Sequence, residues 1–155
     1  MTLSCSVFFG MRERAEAFRT AMGAFAPELR IVVLPDANGL DEAMAGLVRS
    51  ALAEHPGVRA IYSVGGGNRA IAAELVRAGL ECEVFLGHDL DEHNVDLLRA
   101  GTLHAVLHHD LRADTRAALR QVLRHHRLLA GAPTSVPAGV EVVTPYNIPA
   151  RLRPV

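Results

Sequence analysis

Short apolar runs alternate with longer amphipathic segments along this chain. The apolar runs have the length of β-strands and lie at Ser4–Phe9, Leu29–Leu34, Ala60–Val64, Glu83–Leu86 and His104–Leu107. They are nearly continuous in apolar residues, which is typical of strands whose two faces are both covered. One more strand-like run, Val140–Val143, follows a linker rich in proline, alanine and glycine.

Segments with the periodicity of α-helices separate these strands, at Met11–Phe25, Asp41–Glu54, Asn68–Ala78, Asp91–Ala100 and Leu111–Leu129. Pro56-Gly57, Gly79 and Gly101 follow three of them and predict where those helices end. Strands and helices in alternation indicate βαβ units and a parallel sheet. We therefore predict an α/β fold, a three-layer α/β/α sandwich whose mostly parallel sheet has about five strands.

Glycines and polar residues follow the predicted strands. The carboxyl ends of parallel strands lie along one edge of the sheet, and α/β proteins bind ligands there. The segment Gly65–Arg69 follows one strand and opens a helix, so its backbone N–H groups can receive a polar ligand. Three interpretations stay open: a tight turn and nothing more, one wall of a small-molecule site, or a nucleotide-binding loop of the G-x-G-x-x-A type.

Asp89 lies about 20 residues after the glycine-rich turn, which is the spacing of the nucleotide-binding pattern. That pattern belongs to the first strand of its fold, whereas this turn follows the third predicted strand. Asp89 either caps the next helix or faces a ligand, and Asp91 is the nearer candidate for the cap. A carboxylate on this edge suits paired hydroxyl groups, because both of its oxygens accept hydrogen bonds.

Composition narrows the function classes. The 155 residues carry a formal net charge of −1, which argues against non-specific nucleic-acid binding by this segment. The chain contains no lysine, so Schiff-base and P-loop mechanisms are excluded. Two cysteines are too few for a disulfide scaffold, and no G-x-S-x-G motif is present. The adjacent residues His108 and His109 point to opposite faces of a strand, so we expect no metal site there. Because no nucleophile motif is present, we also expect no enzymatic activity and no cofactor.

Several motifs, in the same order, are similar to those of one family. They are Arg14 with Ala17-Phe18-Arg19, the run Ala60–Asn68, the run Phe85–Asp89, the run Gly101–Val106, and His109-Asp110. In these motifs the chain resembles the C-terminal subdomain of the effector-binding domain of LacI/GalR-type transcriptional regulators. That domain has a type I periplasmic-binding-protein fold.

The resemblance implies that the chain senses a small-molecule effector, such as a sugar, for a cytoplasmic, homodimeric repressor. It implies effector contacts at Arg14, Gly66, Asn68, Asp89 and His109. It also implies DNA binding only through a headpiece that this chain lacks, and no membrane partner. Two alternatives remain: a substrate-binding protein of a sugar transporter, which has the same fold, and a small nucleotide-binding enzyme.

The same resemblance implies a division of the chain. Residues 1–109 correspond to the effector-binding subdomain, 110–130 to a helix that packs on the N-terminal lobe, and 131–155 to a linker and final strand. That helix carries Arg112, Arg116, Arg120 and Arg124 at four-residue spacing, with Leu119, Val122 and Leu123 on an apolar side. Because this side should not face water, we predict that the helix docks against a second copy or packs on its own subdomain.

Overall fold

A computed structural model describes residues 2–3, 9–35, 37, 40–134 and 137–150. The strands are β1 (Thr2–Leu3), β2 (Val33–Leu34), β3 (Ala60–Ser63), β4 (Val84–His88), β5 (Ala105–His108) and β6 (Glu141–Val143). The helices are α1 (Phe9–Phe25), α2 (Asp41–Glu54), α3 (Asn68–Ala78), α4 (Glu92–Arg99) and α5 (Leu111–His125). None of these described helices is both long enough and apolar enough to cross a bilayer.

The strands form one sheet in the order β2-β1-β3-β4-β5-β6. Strands β1 to β5 are parallel, and β6 pairs antiparallel with β5. The chain runs from β1 outwards to β2, then returns past β1 to β3, so the direction of winding reverses between β1 and β3. This confirms the predicted α/β fold with a mostly parallel sheet, extended by one antiparallel strand at the edge.

Side chains that alternate along the strands pack against helices on opposite faces. Ile61, Phe85 and Val106 point to one face and are completely or almost completely buried under α2, α3 and α4. Tyr62 of β3, and Val64 just after the strand, pack instead against α1. The alternation of side-chain direction along β3 therefore produces the three predicted layers.

The helix ends follow the glycines as predicted. Gly79 ends α3 in a left-handed conformation, and its N–H bonds to the carbonyl oxygens of Leu75 and Val76. Gly101 also has a positive φ, directly after α4. The side chain of Asp91 accepts a hydrogen bond from the N–H of Asn94 and caps α4, so Asp91, the nearer of the two candidates, is the cap rather than Asp89.

Three elements, the first two strands and the last helix, differ most from the predictions. The first strand lies at Thr2–Leu3, and Phe9 already belongs to α1, while positions 4–8 of the predicted strand Ser4–Phe9 lie outside the described residues. Strand β2 covers only the end of the predicted Leu29–Leu34. Helix α5 ends at His125 rather than at Leu129, because Arg127 adopts a positive φ that breaks the helical path.

Helix α5 buries none of its side chains. Leu119 and Val122 of its apolar side are both exposed. The sheet face that α1 covers is also incompletely buried at its far edge, where Val84 and Val142 are exposed. Packing of α5 on its own subdomain therefore does not bury its apolar side, and docking on a second copy stays a prediction.

We expect the chain to self-associate through α5. Leu119→Glu places a charge on the apolar side, so it should shift a dimer towards monomer by at least tenfold in dissociation constant. Light scattering coupled to size-exclusion chromatography over a concentration series measures the shift.

Ala117→Glu is the matched control, because position 117 is two residues from Leu119 and so faces the other side of the helix. The control should leave the association unchanged. A wild-type chain that stays monomeric at every concentration would contradict the prediction.

Candidate functional site

The carboxyl ends of β1, β3, β4 and β5 form the edge where the winding direction of the sheet reverses. In open α/β sheets, this switch point is where ligands bind. The residues that follow β3, β4 and β5 there are Val64 with the glycine-rich turn, Asp89, and His109. Helix α1 lies beside this edge and contributes Arg14 and Met11.

Arg14 joins two of these strand ends. Its Nη1 donates to the carbonyl oxygen of Val64 at 3.4 Å, and its Nη2 lies 3.2 Å from Nε2 of His109. Because the guanidinium can only donate, Nε2 of His109 is the acceptor. Strand β4 lies between β3 and β5, so Arg14 and the side chain of His109 together bridge the end of β4. The structure thus brings together two residues that the sequence predicted separately.

Tyr62 and His88 form a buried pair close to Arg14. The Tyr62 hydroxyl lies 2.7 Å from Nε2 of His88, and the ring of Phe18 packs on Tyr62 with 4.7 Å between centroids. Burial is the main reason that the pKa of His88 falls to about 4, and the nearby charge of Arg14 lowers it further. Burial also raises the pKa of Tyr62, against a lowering effect of Arg14. Both side chains are therefore uncharged at neutral pH.

Asp89 has a left-handed backbone with φ of 62°. Few residues other than glycine adopt this conformation, and such strained backbone is enriched at functional sites. Asn94 holds it in place, since its Nδ2 donates to the carbonyl oxygens of Asp89 at 2.6 Å and His88 at 3.0 Å. The backbone N–H of Asp89 donates to the carbonyl of Leu107. Asp89 itself is exposed, so its carboxylate is available to a ligand.

Asn68 lies below the edge rather than on it. Its side chain is buried, with 4% of the residue exposed, and its Nδ2 donates to Oδ1 of Asn94 at 2.9 Å. Gly87 makes this possible, because a Cβ at Gly87 would lie 2.8 Å from Asn68 Nδ2. Oδ1 of Asn68 is buried, and none of the described residues offers it a hydrogen bond. Asn68 therefore supports Asp89 through Asn94, and its direct contact with a ligand stays a prediction.

The two adjacent histidines at the end of β5, His108 within the strand and His109 just after it, have separate partners. Nδ1 of His108 accepts the backbone N–H of Leu90, whereas His109 pairs with Arg14. They are not placed to chelate one ion. In the described part of the chain, no group of three or more histidine, cysteine, aspartate or glutamate side chains is arranged to hold a metal.

The chain matches the family described as "Periplasmic binding protein domain" over residues 10–128, which is more than half of its length. It belongs to that family. A comparison with curated protein sequences finds no match.

Solved structures of sugar-binding proteins have the same fold. A glucose-galactose binding protein from Geobacillus stearothermophilus gives a TM-score of 0.83 at 16% identity, covering 96% of this chain and 53% of that one. A sugar-binding protein of a sugar ABC transporter from Bacillus halodurans gives 0.76 at 18% identity, covering 94% and 54%. The fructose-binding periplasmic domain of a hybrid two-component system gives 0.79 at 22% identity, covering 94% and 49%.

At these identities the likeness shows the fold alone, and the chain spans about half the length of these proteins. The periplasmic-binding-protein fold that we predicted is confirmed. The finer prediction, a LacI/GalR regulator, receives no support from these neighbours, which are sugar-binding proteins of transport and sensing systems. They favour the transporter alternative over our main interpretation.

Three residues of the site, Tyr62, His88 and Asn94, were not predicted from the sequence. Tyr62 and His88 each end or nearly end an apolar strand, and their shared orientation towards α1 becomes visible only once β3 and β4 are paired. Asp91 was a candidate for the helix cap, but the sequence carries no sign that the Asn94 amide turns back to hold the strand end.

Loss of the Asn94 amide should destabilise the protein. Asn94→Ala leaves Asn68 and the carbonyls of His88 and Asp89 without their partner, at a cost of about 1–3 kcal/mol in the free energy of unfolding. Urea denaturation measures the cost. Asp96→Ala on the exposed side of the same helix serves as control and should change stability by less than about 1 kcal/mol. Equal effects of the two substitutions would contradict the prediction.

His88 makes stability depend on pH. Its pKa of about 4 in the folded state lies below the ordinary value of 6.5, so the unfolded chain binds the proton more readily. The free energy of unfolding should be at its full value above pH 6.5 and should decrease as the pH falls from 6.5 towards 4. The loss is on the order of 2 kcal/mol at pH 5.

Urea denaturation at pH 7 and pH 5 measures this loss, with His88→Gln for comparison. Glutamine can still hydrogen-bond to Tyr62 but does not titrate, so the variant should lose less stability than the wild type. The charged and titratable groups near His88, which are Arg14, Asp89 and His109, are common to both proteins. Parallel pH profiles for both proteins would sink the prediction.

Proposed function

We propose that this chain is the ligand-binding lobe of a solute-binding protein for an uncharged sugar or related polyol. The observation that carries the proposal is the arrangement of Arg14 and Asp89 on one sheet edge. Arg14 is fixed between Val64 and His109, and Asp89 is fixed by Asn94, so a donor and an acceptor are held in place before the ligand arrives.

Sugar hydroxyls both donate and accept hydrogen bonds, so they match this pair. The carboxylate of Asp89 accepts from two hydroxyls, while the free N–H groups of Arg14 donate to ring or hydroxyl oxygens. His109 supports Arg14 and offers its other ring nitrogen to the same edge. No step of covalent chemistry is needed, and the proposal is one of binding. The sugar-binding names of the solved neighbours support the same ligand class.

The lobe is half of a site in this proposal. A second lobe closes over the ligand, and the closed protein delivers it to a membrane transporter. The sugar-binding protein of an ABC transporter among the solved neighbours supports this destination. Ligand-driven closure follows from stronger binding to the closed form than to the open one.

A second candidate is the effector domain of a LacI/GalR-type regulator. The order of the motifs from Arg14 to His109-Asp110 favours it. The fructose-binding domain of a two-component system supports a sensing role for this fold. Sugar-dependent retention of the full-length protein on DNA from its own promoter supports regulation, while sugar-dependent stimulation of a transporter supports uptake.

Binding of glucose, galactose or fructose to the chain is tested by two-dimensional ¹H–¹⁵N NMR titration. We expect shifts of the amide signals of Gly65–Gly67, Asp89 and His109, with dissociation constants weak enough for fast exchange. Asp89→Asn and Arg14→Ala should each weaken binding by at least tenfold, since each removes a charge-assisted hydrogen bond.

Asp96→Asn, on the exposed part of α4, is the control and should leave the affinity unchanged. The nucleotide alternative is tested in the same way with NAD and ATP. Tight nucleotide binding without any response to sugars would refute the proposal.

A further inference from the structure

The three consecutive glycines after β3 do not serve the same purpose. A Cβ on Gly65 would lie 2.8 Å from Cε and 3.3 Å from Sδ of Met11, so Gly65 lets α1 approach the turn. Gly67 has a φ of 86° and would place its Cβ 3.0 Å from Cγ of Met44. The left-handed backbone requires glycine at position 67, and a side chain at position 65 would displace the end of Met11.

Gly66 has neither requirement. Its φ lies outside the left-handed region, and no atom of the described residues lies within 4 Å of a Cβ built on it. The residue is exposed to solvent, although Gly65 before it is buried. Glycine costs conformational entropy on folding, and the described part of the lobe gives no reason for that cost at position 66.

The open space above Gly66 belongs to the proposed site. Gly66 is two residues after Val64, whose carbonyl holds Arg14, and it follows β3 at the switch point of the sheet. A ligand held by Arg14 and Asp89 therefore lies next to this turn. Without a side chain at position 66, the ligand can approach the backbone itself.

We propose that Gly66 selects glycosides, sugars that carry a second ring or a comparably large substituent on oxygen, over simple monosaccharides. This inference rests on the proposed sugar-binding function. One ring of the ligand is held by Arg14 and Asp89, and the substituent fills the space over Gly66. A simple hexose leaves that space to water, so it loses the contacts with the turn.

Four glucosides with substituents of different size test the inference. Methyl β-D-glucoside and phenyl β-D-glucoside differ only in the size of the substituent, and maltose and cellobiose add a second sugar ring. NMR titration of the full chain gives the dissociation constants. We expect at least one of the three larger ligands to bind at least tenfold more tightly than methyl β-D-glucoside, with the largest amide shifts at Gly66.

Gly66→Leu fills the space without straining the backbone. It should remove the preference, so that no larger ligand binds more than threefold more tightly to the variant than methyl β-D-glucoside does. Gly46→Leu is the control, because Gly46 lies on α2, also has no atom of the described residues within 4 Å and has no positive φ. The control should keep the preference.

The possible results separate the inference from the function on which it rests. Equal binding of methyl glucoside and every larger ligand by the wild type overturns the inference and leaves sugar binding standing. The inference is also overturned by a Gly66→Leu variant that retains the preference, or by one that no longer binds any of these sugars. The absence of binding by any sugar or glycoside refutes the proposed function itself, and the inference with it.

Discussion

Burial of the central strands beneath three helices is the constraint on which the site depends. Ile61, Phe85 and Val106 project from β3, β4 and β5 into the same apolar layer, where they are completely or almost completely buried. Apolar burial of this kind is the dominant favourable contribution to folding. Because it fixes the register of the three strands, it also fixes where their carboxyl ends lie. Arg14 joins two of those ends across the middle strand.

The fold was largely predictable from the chain because hydrophobic periodicity reports burial directly. The alternation of strand and helix gave the parallel sheet, and Gly79 and Gly101 marked helix ends that the structure confirms. The boundaries of β1 and α5 were less predictable. Apolar side chains continued past the true end of α5, and a positive φ at Arg127 has no signature in sequence. Exposure of Leu119 also shows that an apolar side predicts burial only when a partner surface exists.

The candidate site was predictable in part. Arg14, Asp89 and His109 lie on the edge that the strand pattern indicated, and two of them are in contact. Asn68 is different, because a polar residue at the start of a helix looks the same in sequence whether it faces a cleft or is buried. Asn94, Tyr62 and His88 act through pairings between separate strands and helices, and such pairings require three-dimensional coordinates. The resemblance to LacI/GalR regulators gave the right fold, but many binding proteins share that fold.

The neutral state of His88 has a consequence for the electric field at the sheet edge. With a pKa of about 4, His88 adds no positive charge beside Arg14 at neutral pH. The guanidinium of Arg14 and the carboxylate of Asp89 act on His88 with opposite signs, so the edge carries one charge of each sign. A surface balanced in this way offers strong local dipoles without a net attraction for ions. Under the proposed function, such an edge suits an uncharged solute better than an anion.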